Sequence, residues 1–362
     1  MHIRRIAMAA MAASLMAGCS IHPVPEDVTG VTTAGIVKQI RCETRDAVRD
    51  IVLRELYRLA AAKDPDPIAQ DLYSRFQANK ELMDNFNPNV SFAASKYVLV
   101  RETFDVILSS AIAYNFDLTM SEDNNLNTAA LNLLGPWTST FTLGLTGNAN
   151  RQRKNERTFT ITDRFGYLLT TLNTTRDGVH YCDGHIALGP SYVYPIIGRI
   201  GVYNTVYTFF QLSFFDGLAA DVTKKAGGGS TPAMADVLTF NTAVDFSVAP
   251  KIVFSPIKGF NGFQVTDASG TSLARRTDVH QVTLAVALDS KNEPLLTSLR
   301  GFVFSGERGL TGAGSRASAR GGRDGQVLIL NRVTASTTSR ASQIAVQMID
   351  QLKSRELQLV PQ

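Results

Sequence analysis

Apolar positions recur at two different periods along this chain, and the change of period marks its main internal division. Over residues 31–62, Ile36, Ile40, Val48, Ile51, Val52, Leu56 and Leu59 fall near a 3.6-residue period. Arg41, Glu43, Arg45, Asp46, Arg49 and Asp50 fill the positions between them, which predicts an amphipathic helix with a solvated charged face. Thr32 or Thr33 supplies its cap. Asp64-Pro65-Asp66-Pro67 stops that helix and starts another, with Asp66 as N-cap and Pro67 in the first turn. Ile68, Leu72 and Phe76 continue the second helix at steps of four, so residues 31–90 read as a helical hairpin that ends at 85–89 with Pro88.

Residues 96–114 are apolar without a decisive period and read equally as helix or strand. From residue 115 the period becomes two, as Phe116, Leu118 and Met120 alternate with Asp117 and Thr119. The acids Glu122 and Asp123 with Asn124 and Asn125 read as a turn. Phe141, Leu143 and Leu145 resume the alternation. The polar stretch 147–156 then predicts the end of a long hairpin with a basic tip, Arg151, Arg153, Lys154 and Arg157, before a strand at 158–161.

A second β block follows. Val244, Phe246 and Val248 alternate, Ile252 and Phe254 resume after Pro250, and Val282, Leu284, Val286 and Leu288 form the cleanest alternation in the chain. Arg275-Arg276-Thr277-Asp278 precedes that strand much as Arg153-Lys154-Asn155-Glu156 precedes 158–161, a candidate two-fold internal repeat. Between the blocks, 176–195 reads as loop, and Val202, Val206, Phe209 and Phe210 as one buried helix. Arg199, Asn204, Gln211 and Asp216 exclude a membrane helix there. Gly227-Gly228-Gly229-Ser230 is the candidate boundary. A Gly/Ser/Arg loop at 306–325, a strand at 326–333 and a helix at 339–357 complete the chain, with Ala341, Ile344, Ala345, Met348 and Leu352 on the helix's apolar face. The fold class expected is α+β: an N-terminal helical hairpin, a largely antiparallel β body with a candidate two-fold repeat, and a C-terminal helix. The expected segments are 31–90, a first β-rich unit with a helix at 91–226, and a second at 227–362 with the C-terminal helix.

The first thirty residues belong to neither pattern. Arg4 and Arg5 precede an apolar run over 6–18 broken only by Ser14, the layout of a secretory signal peptide and shorter than the roughly 20 residues of a membrane helix. Its end, Leu15-Met16-Ala17-Gly18-Cys19, resembles the lipobox of bacterial lipoproteins. That resemblance implies cleavage after residue 18, lipidation of Cys19 by a diacylglyceryl group and palmitate-like acylation of its amino group. Ser20 stands where that family's inner-membrane retention signal has aspartate, so the resemblance implies an outer-membrane anchor facing the periplasm. Residues 19–30, with Pro23, Pro25 and Gly30, form the lipidated tether. Acyl chains contribute about 0.8 kcal/mol per buried methylene, and two or more hold a protein stably on a membrane.

Composition narrows the function classes. The net charge is +4, and loss of Arg4 and Arg5 with the signal lowers it further, too weak a balance to imply nucleic acid. With 44% hydrophobic and 19% charged residues the chain is globular. Cys42 and Cys182 are a disulfide candidate in an oxidising envelope, the alternative being two buried thiols. His180, Cys182 and His185 offer weak candidate metal ligands, but no second cluster completes a zinc set and a disulfide would consume the thiolate. His280 stands at a strand start, with an exposed cross-strand position expected. No nucleophile elbow, Ser-x-x-Lys set or P-loop occurs, so no catalytic residue and no cofactor is named. Arg308, Arg316, Arg320 and Arg323 in the glycine-rich loop could meet anionic lipid or lipopolysaccharide phosphate.

Three readings follow. The first is a non-enzymatic envelope lipoprotein that binds another envelope component. A second makes the chain one subunit of an oligomeric outer-membrane β-barrel pore; the third is a periplasmic hydrolase, which needs a pocket gathering His180, Asp183 or His185 with a further acid or base.

Overall fold

Thr33–Ala60 forms a single long helix because nothing between the threonines and Ala60 interrupts it except Gly35 near its start. The computed structural model describes residues 22–134, 140–143, 147–216, 218, 231–248, 251–253, 264–292, 295–296, 299 and 339–359. The signal at 1–18, Cys19, the Gly227–Ser230 boundary, the 306–325 loop and the 326–333 strand lie outside these residues. In chain order the helices and strands are α1 (Glu26–Thr29), α2 (Thr33–Ala60), α3 (Pro67–Ala78), α4 (Pro88–Ser91), α5 (Val98–Ser109), β1 (Ala111–Leu134), β2 (Thr140–Leu143), β3 (Gly147–Arg164) and α6 (Phe165–Thr170). They continue with β4 (Thr175–Arg176), β5 (Val179–His180), α7 (Val202–Phe214), β6 (Ala233–Val248), β7 (Lys251–Val253), β8 (Gln264–Ala287) and α8 (Arg340–Leu359). The class is α+β, with N-terminal helices, a four-strand antiparallel sheet and a C-terminal helix.

The sheet runs β3, β1, β8, β6 from one edge to the other, with β2 alongside β1 in the β3 lane and β7 alongside β8 in the β6 lane. The β1–β2 pair is antiparallel with Leu131 opposite Leu143 and Leu133 opposite Phe141. The β7–β8 pair is antiparallel with Ile252 opposite Ala268. By its contacts the chain divides into two units, each discontinuous in sequence. A hairpin unit comprises 1–32, 117–158 and 239–280, and a helical unit comprises 33–116, 159–238 and 281–362.

In the helical unit, α3 is capped as its sequence demands, the Asp66 carboxylate accepting from the Ala69 N–H at 2.9 Å. Leu72 and Phe76 turn inward there. The helices do not end at 85–89. A 3-10 turn at Lys80–Asn85, α4 and α5 carry them on to Ser109, and the ambiguous 96–114 splits into a helix and the start of β1. Phe86, Phe92 and Phe104 meet ring to ring beneath them. Against the sheet, Ala113, Ala233, Ala285 and Ala287 admit Ala345 and Ile349 of α8; small strand residues are what let a helix approach closely. Every residue from Val282 to Leu288 is buried, so the alternation read as one buried face is covered on both. The described helices include none long and apolar enough to cross a membrane.

The expected solvated face of α2 is the clearest departure from sequence. Glu43, Arg45 and Arg49 are buried. Arg45 Nη2 donates to Asp84 at 2.6 Å and Glu81 at 3.0 Å, and Arg49 donates to Glu81 at 2.9 and 3.1 Å. Burial of a charge is tolerated when it is paired and hydrogen-bonded. Glu43 does something different. Its carboxylate accepts from the Ile200, Gly201 and Val202 N–H groups at 2.7 to 3.0 Å, satisfying the orphan donors at the start of α7. Gly201, at φ +90°, sets that turn, and a Cβ on neighbouring Gly198 would come within 2.1 Å of the Ser191 nitrogen.

Candidate functional site

The candidate site lies in the hairpin unit, and the strands that build it change character along their length. In β1, Tyr114, Phe116, Leu118 and Met120 are buried at every second position. Glu122 comes next in the same phase. A carboxylate in register with a buried face needs a cation, and β8 supplies one. Arg276 Nη1 donates to Glu122 Oε1 at 3.1 Å and its Nε and Nη2 donate to Asp278 at 2.9 and 3.2 Å. Arg153 of β3 reaches the other Glu122 oxygen at 3.3 Å. Asp278 is 1% exposed and the Arg276 side chain 10%. Burial opposes the guanidinium charge, but the carboxylates around it hold its pKa above the usual value.

The same arginine grips the N-terminal segment. Arg276 Nη2 donates to the Val24 carbonyl at 2.7 Å and Nη1 to Asp27 at 3.3 Å, while Asn155 of β3 donates to the Pro23 carbonyl at 2.8 Å. Pro23 and Pro25 are buried. The segment is shaped locally as well: Asp27 accepts from the Val24 N–H at 2.9 Å, and Gly30 closes α1 at φ +68°. Residues 23–30 are thus fastened to two strands, β3 and β8.

Beyond this hub the sequence loses its charges. None occurs between Asp123 and Arg151, and only Lys251 and Lys258 between Asp245 and Asp267. Glu122 to Asn125, expected as a turn, belong to β1, and Arg151, Arg153, Lys154 and Arg157, expected at a hairpin tip, lie along β3. The reason is that strand length is set by pairing, not by local polarity: β1 runs 24 residues, about 80 Å at roughly 3.3 Å per residue. The outer strands are open to solvent. In β3, Gln152, Lys154, Glu156 and Thr158 are exposed, and in β6 so are Thr239, Asn241, Ala243 and Asp245; Phe246 is 65% exposed.

The residues singled out from sequence fall elsewhere. Cys42 and Cys182 form a disulfide, which ties the 176–195 loop to α2. His180 is exposed, with its N–H donating to Asp183 at 2.9 Å, and His185 lies partly buried beside Lys38, with burial pulling its pKa down. With Cys182 in the disulfide its thiolate is not available, and no group of three or more metal-ligating side chains occurs among the described residues. His280 is not an exposed strand-start residue; it sits well inside β8 at 1% exposure, where burial lowers its pKa. A cavity of about 630 Å³ in the helical unit is lined by Ile51, Arg54, Tyr207, Phe210, Phe214 and neighbours, with Arg54 stacked 4.2 Å over Tyr207. It includes none of His180, Asp183 or His185. Arg276 and Asp278, read from the sequence only as part of a candidate repeat, and Glu122, read as part of a turn, are site residues that the sequence did not reveal as such. Their signal was charge in phase with a buried alternation.

Residues 22–299 match the family model described as "Uncharacterised protein y4kA". A relative, "Uncharacterized protein y4kA" of Sinorhizobium fredii (strain NBRC 101917 / NGR234), is 31% identical over 289 residues, which is 78% of this chain and 83% of that one. Among solved structures, a cryo-EM structure of the ETEC pilotin–secretin AspS–GspD complex aligns with 65% of this chain and 56% of its own at 8% identity and a TM-score of 0.23. The chain therefore spans just over half of that structure's chain.

Proposed function

The chain belongs to the y4kA family, and from that premise we propose that it is a lipid-anchored envelope protein that contributes its two long hairpins to an oligomeric outer-membrane β-barrel. The observation that carries the reading is the Arg276 hub. It holds residues 23–30 at the level where β1 and β3 cease to carry charge. Chain geometry limits Cys19 to within about 15 Å of Pro23, so acyl chains on Cys19 and the uncharged ends of the hairpins would enter one membrane together. Residues 124–134 match the roughly 9–11 residues that a membrane strand takes.

Closure demands more than one copy. A bilayer admits strands only when every backbone group is paired, and single-chain barrels begin at about eight strands. The described residues of this chain offer four. The envelope component that the β body binds is, on this reading, another copy of itself. The register of β1 and β2 favours it, since apolar positions face apolar ones at Leu131–Leu143 and Leu133–Phe141, and Asn132 faces Thr142. The Cys42–Cys182 disulfide suits an oxidising compartment. The outer membrane follows from Ser20 after the lipobox, with the protein facing the periplasm. No described feature favours a hydrolase.

The test is the full-length chain extracted from membranes in mild detergent. A ring of defined size that resists detergent and conducts ions in planar bilayers is the expected result, and Cys19→Ala should shift the protein to the soluble fraction. A monomer that leaves no conductance would end the reading.

A further inference from the structure

The two outer strands are the part of the sheet without a neighbour. Among the described residues β3 pairs only with β1, and β6 only with β8. An open edge this long, 18 residues in β3 and 16 in β6, is a template for another strand unless it is blunted by proline, bulges or cover. Neither β3 nor β6 contains proline.

We infer that β3 of one copy pairs antiparallel with β6 of the next, head to tail, and that this is the contact by which copies of the chain assemble. The inference rests on the barrel reading. Three observations choose this pairing over like-with-like contacts. First, polarity: four antiparallel strands leave β3 and β6 running in opposite directions, so copies related by rotation about a common axis meet β3 to β6 in antiparallel sense, and the ring closes without a parallel seam. Second, charge: β3 carries Arg151, Arg153, Lys154, Arg157 and Arg164 against Glu156 and Asp163, whereas β6 carries Asp236 and Asp245 and no base. β3 against β3 would set like charges across the ladder, which is unfavourable. Third, placement: counted from where the strands enter the hairpin unit, Asp245 lies at about the depth of Arg151 to Lys154. Lys154 and Asp245 are both exposed, and a shear of a few residues brings them opposite.

Cysteine pairs test it in the full-length, lipidated chain, where Cys42 and Cys182 are already bonded to each other. Thr158→Cys is combined in turn with Thr239→Cys, Asn241→Cys and Ala243→Cys, all at exposed positions, in steps of two along β6 that include the equal-depth register, Thr158 opposite Thr239, and the register that sets Lys154 opposite Asp245, Thr158 opposite Asn241. After mild oxidation, one combination should give a ladder of covalent multimers beyond the dimer on a non-reducing gel, because each copy offers both edges. The single variants should give none. Dimers from Thr158→Cys alone, or from a β6 cysteine alone, would show like-with-like pairing and overturn the inference. A detergent-stable ring with no cross-link in any combination would also overturn it while leaving the barrel reading intact. Absence of any oligomer, with or without oxidant, would remove both.

Discussion

The helical unit and the hairpin unit treat charge in opposite ways. In the helical unit, charges turn inward and are closed off: Arg45 and Arg49 are nearly inaccessible yet shared between Glu81 and Asp84, and Arg41 forms a bidentate pair with Asp163 at 2.7 Å. Burial raises the Asp163 carboxyl above its usual range, while Arg41 opposes that shift. In the hairpin unit one hub is closed off, while Arg151, Lys154 and Glu156 of β3 and Asp245 of β6 lie exposed along the outer strands. The contrast teaches that one unit closes its charges on partners of its own, whereas the other leaves those of its outer strands in solvent.

The strongest way to sharpen that contrast is to cut the covalent tie of the helical unit. Replacing Cys42 and Cys182 by serine removes a link across 140 residues and should cost about 3–5 kcal/mol, most of it by freeing the unfolded chain. Calorimetry should show a lower melting midpoint for the helical unit, while exchange protection at residues 23–30 persists; joint loss of both would mean that the units are not independently held.

Next in size is Arg276→Ala. It removes the Arg276 guanidinium from beside the buried Asp278 carboxylate and releases Val24 and Asp27 from it, a local loss of about 3 kcal/mol. Amide exchange over residues 23–30 should quicken by about a hundredfold, with the helical unit's melting unchanged. Unaltered exchange there would mean that the hub is not what docks the tether.

A smaller effect separates the units by pH. Hydrogen bonds from Arg49, and then from Arg45, hold Glu81 at about 2, below its ordinary 4.5, despite opposing desolvation. Because the folded state binds its proton less readily, the stabilisation is complete above about 4.5 and is lost as pH falls toward about 2. The Glu81 side chain is 54% exposed, so solvent screening limits it to about 1 kcal/mol. Melting curves from pH 6 to 2 should show wild type above Glu81→Gln at the neutral end and convergence at the acid end. The smallest expected effect is Arg275→Ala, whose pair with Asp245 lies at the surface, both side chains being about half exposed. No change in melting temperature is expected, and a clear drop would show that this edge is already covered.

Much of this architecture was legible in the residues, and where it was not the cause is specific. The 3.6-residue period over 31–62 located α2, and Asp66-Pro67 marked the start of α3, because caps and proline act locally. The polarity of Arg45 and Arg49 misled, because a helix surface reads as solvated unless another element supplies carboxylates for it. Glu81 and Asp84, more than thirty residues on, do so. Likewise Glu122-Asp123 and the basic run from Arg151 resembled turns because polarity is the local mark of a loop, whereas pairing with a neighbouring strand is what extended β1 and β3 through them.

By itself, then, the sequence determined where periodicity changes, which helices are amphipathic and where charge stops along the hairpins. These are properties of neighbours in the chain, decided by side-chain size, capping and alternation. The tertiary structure decided which charges are buried, that Arg276 joins two strands to the N-terminal segment, and that β3 and β6 form the outer edges of the sheet. Those outcomes depend on contacts between residues as far apart as Val24 and Arg276, and the energy of such a contact exists only once the fold has brought its partners together.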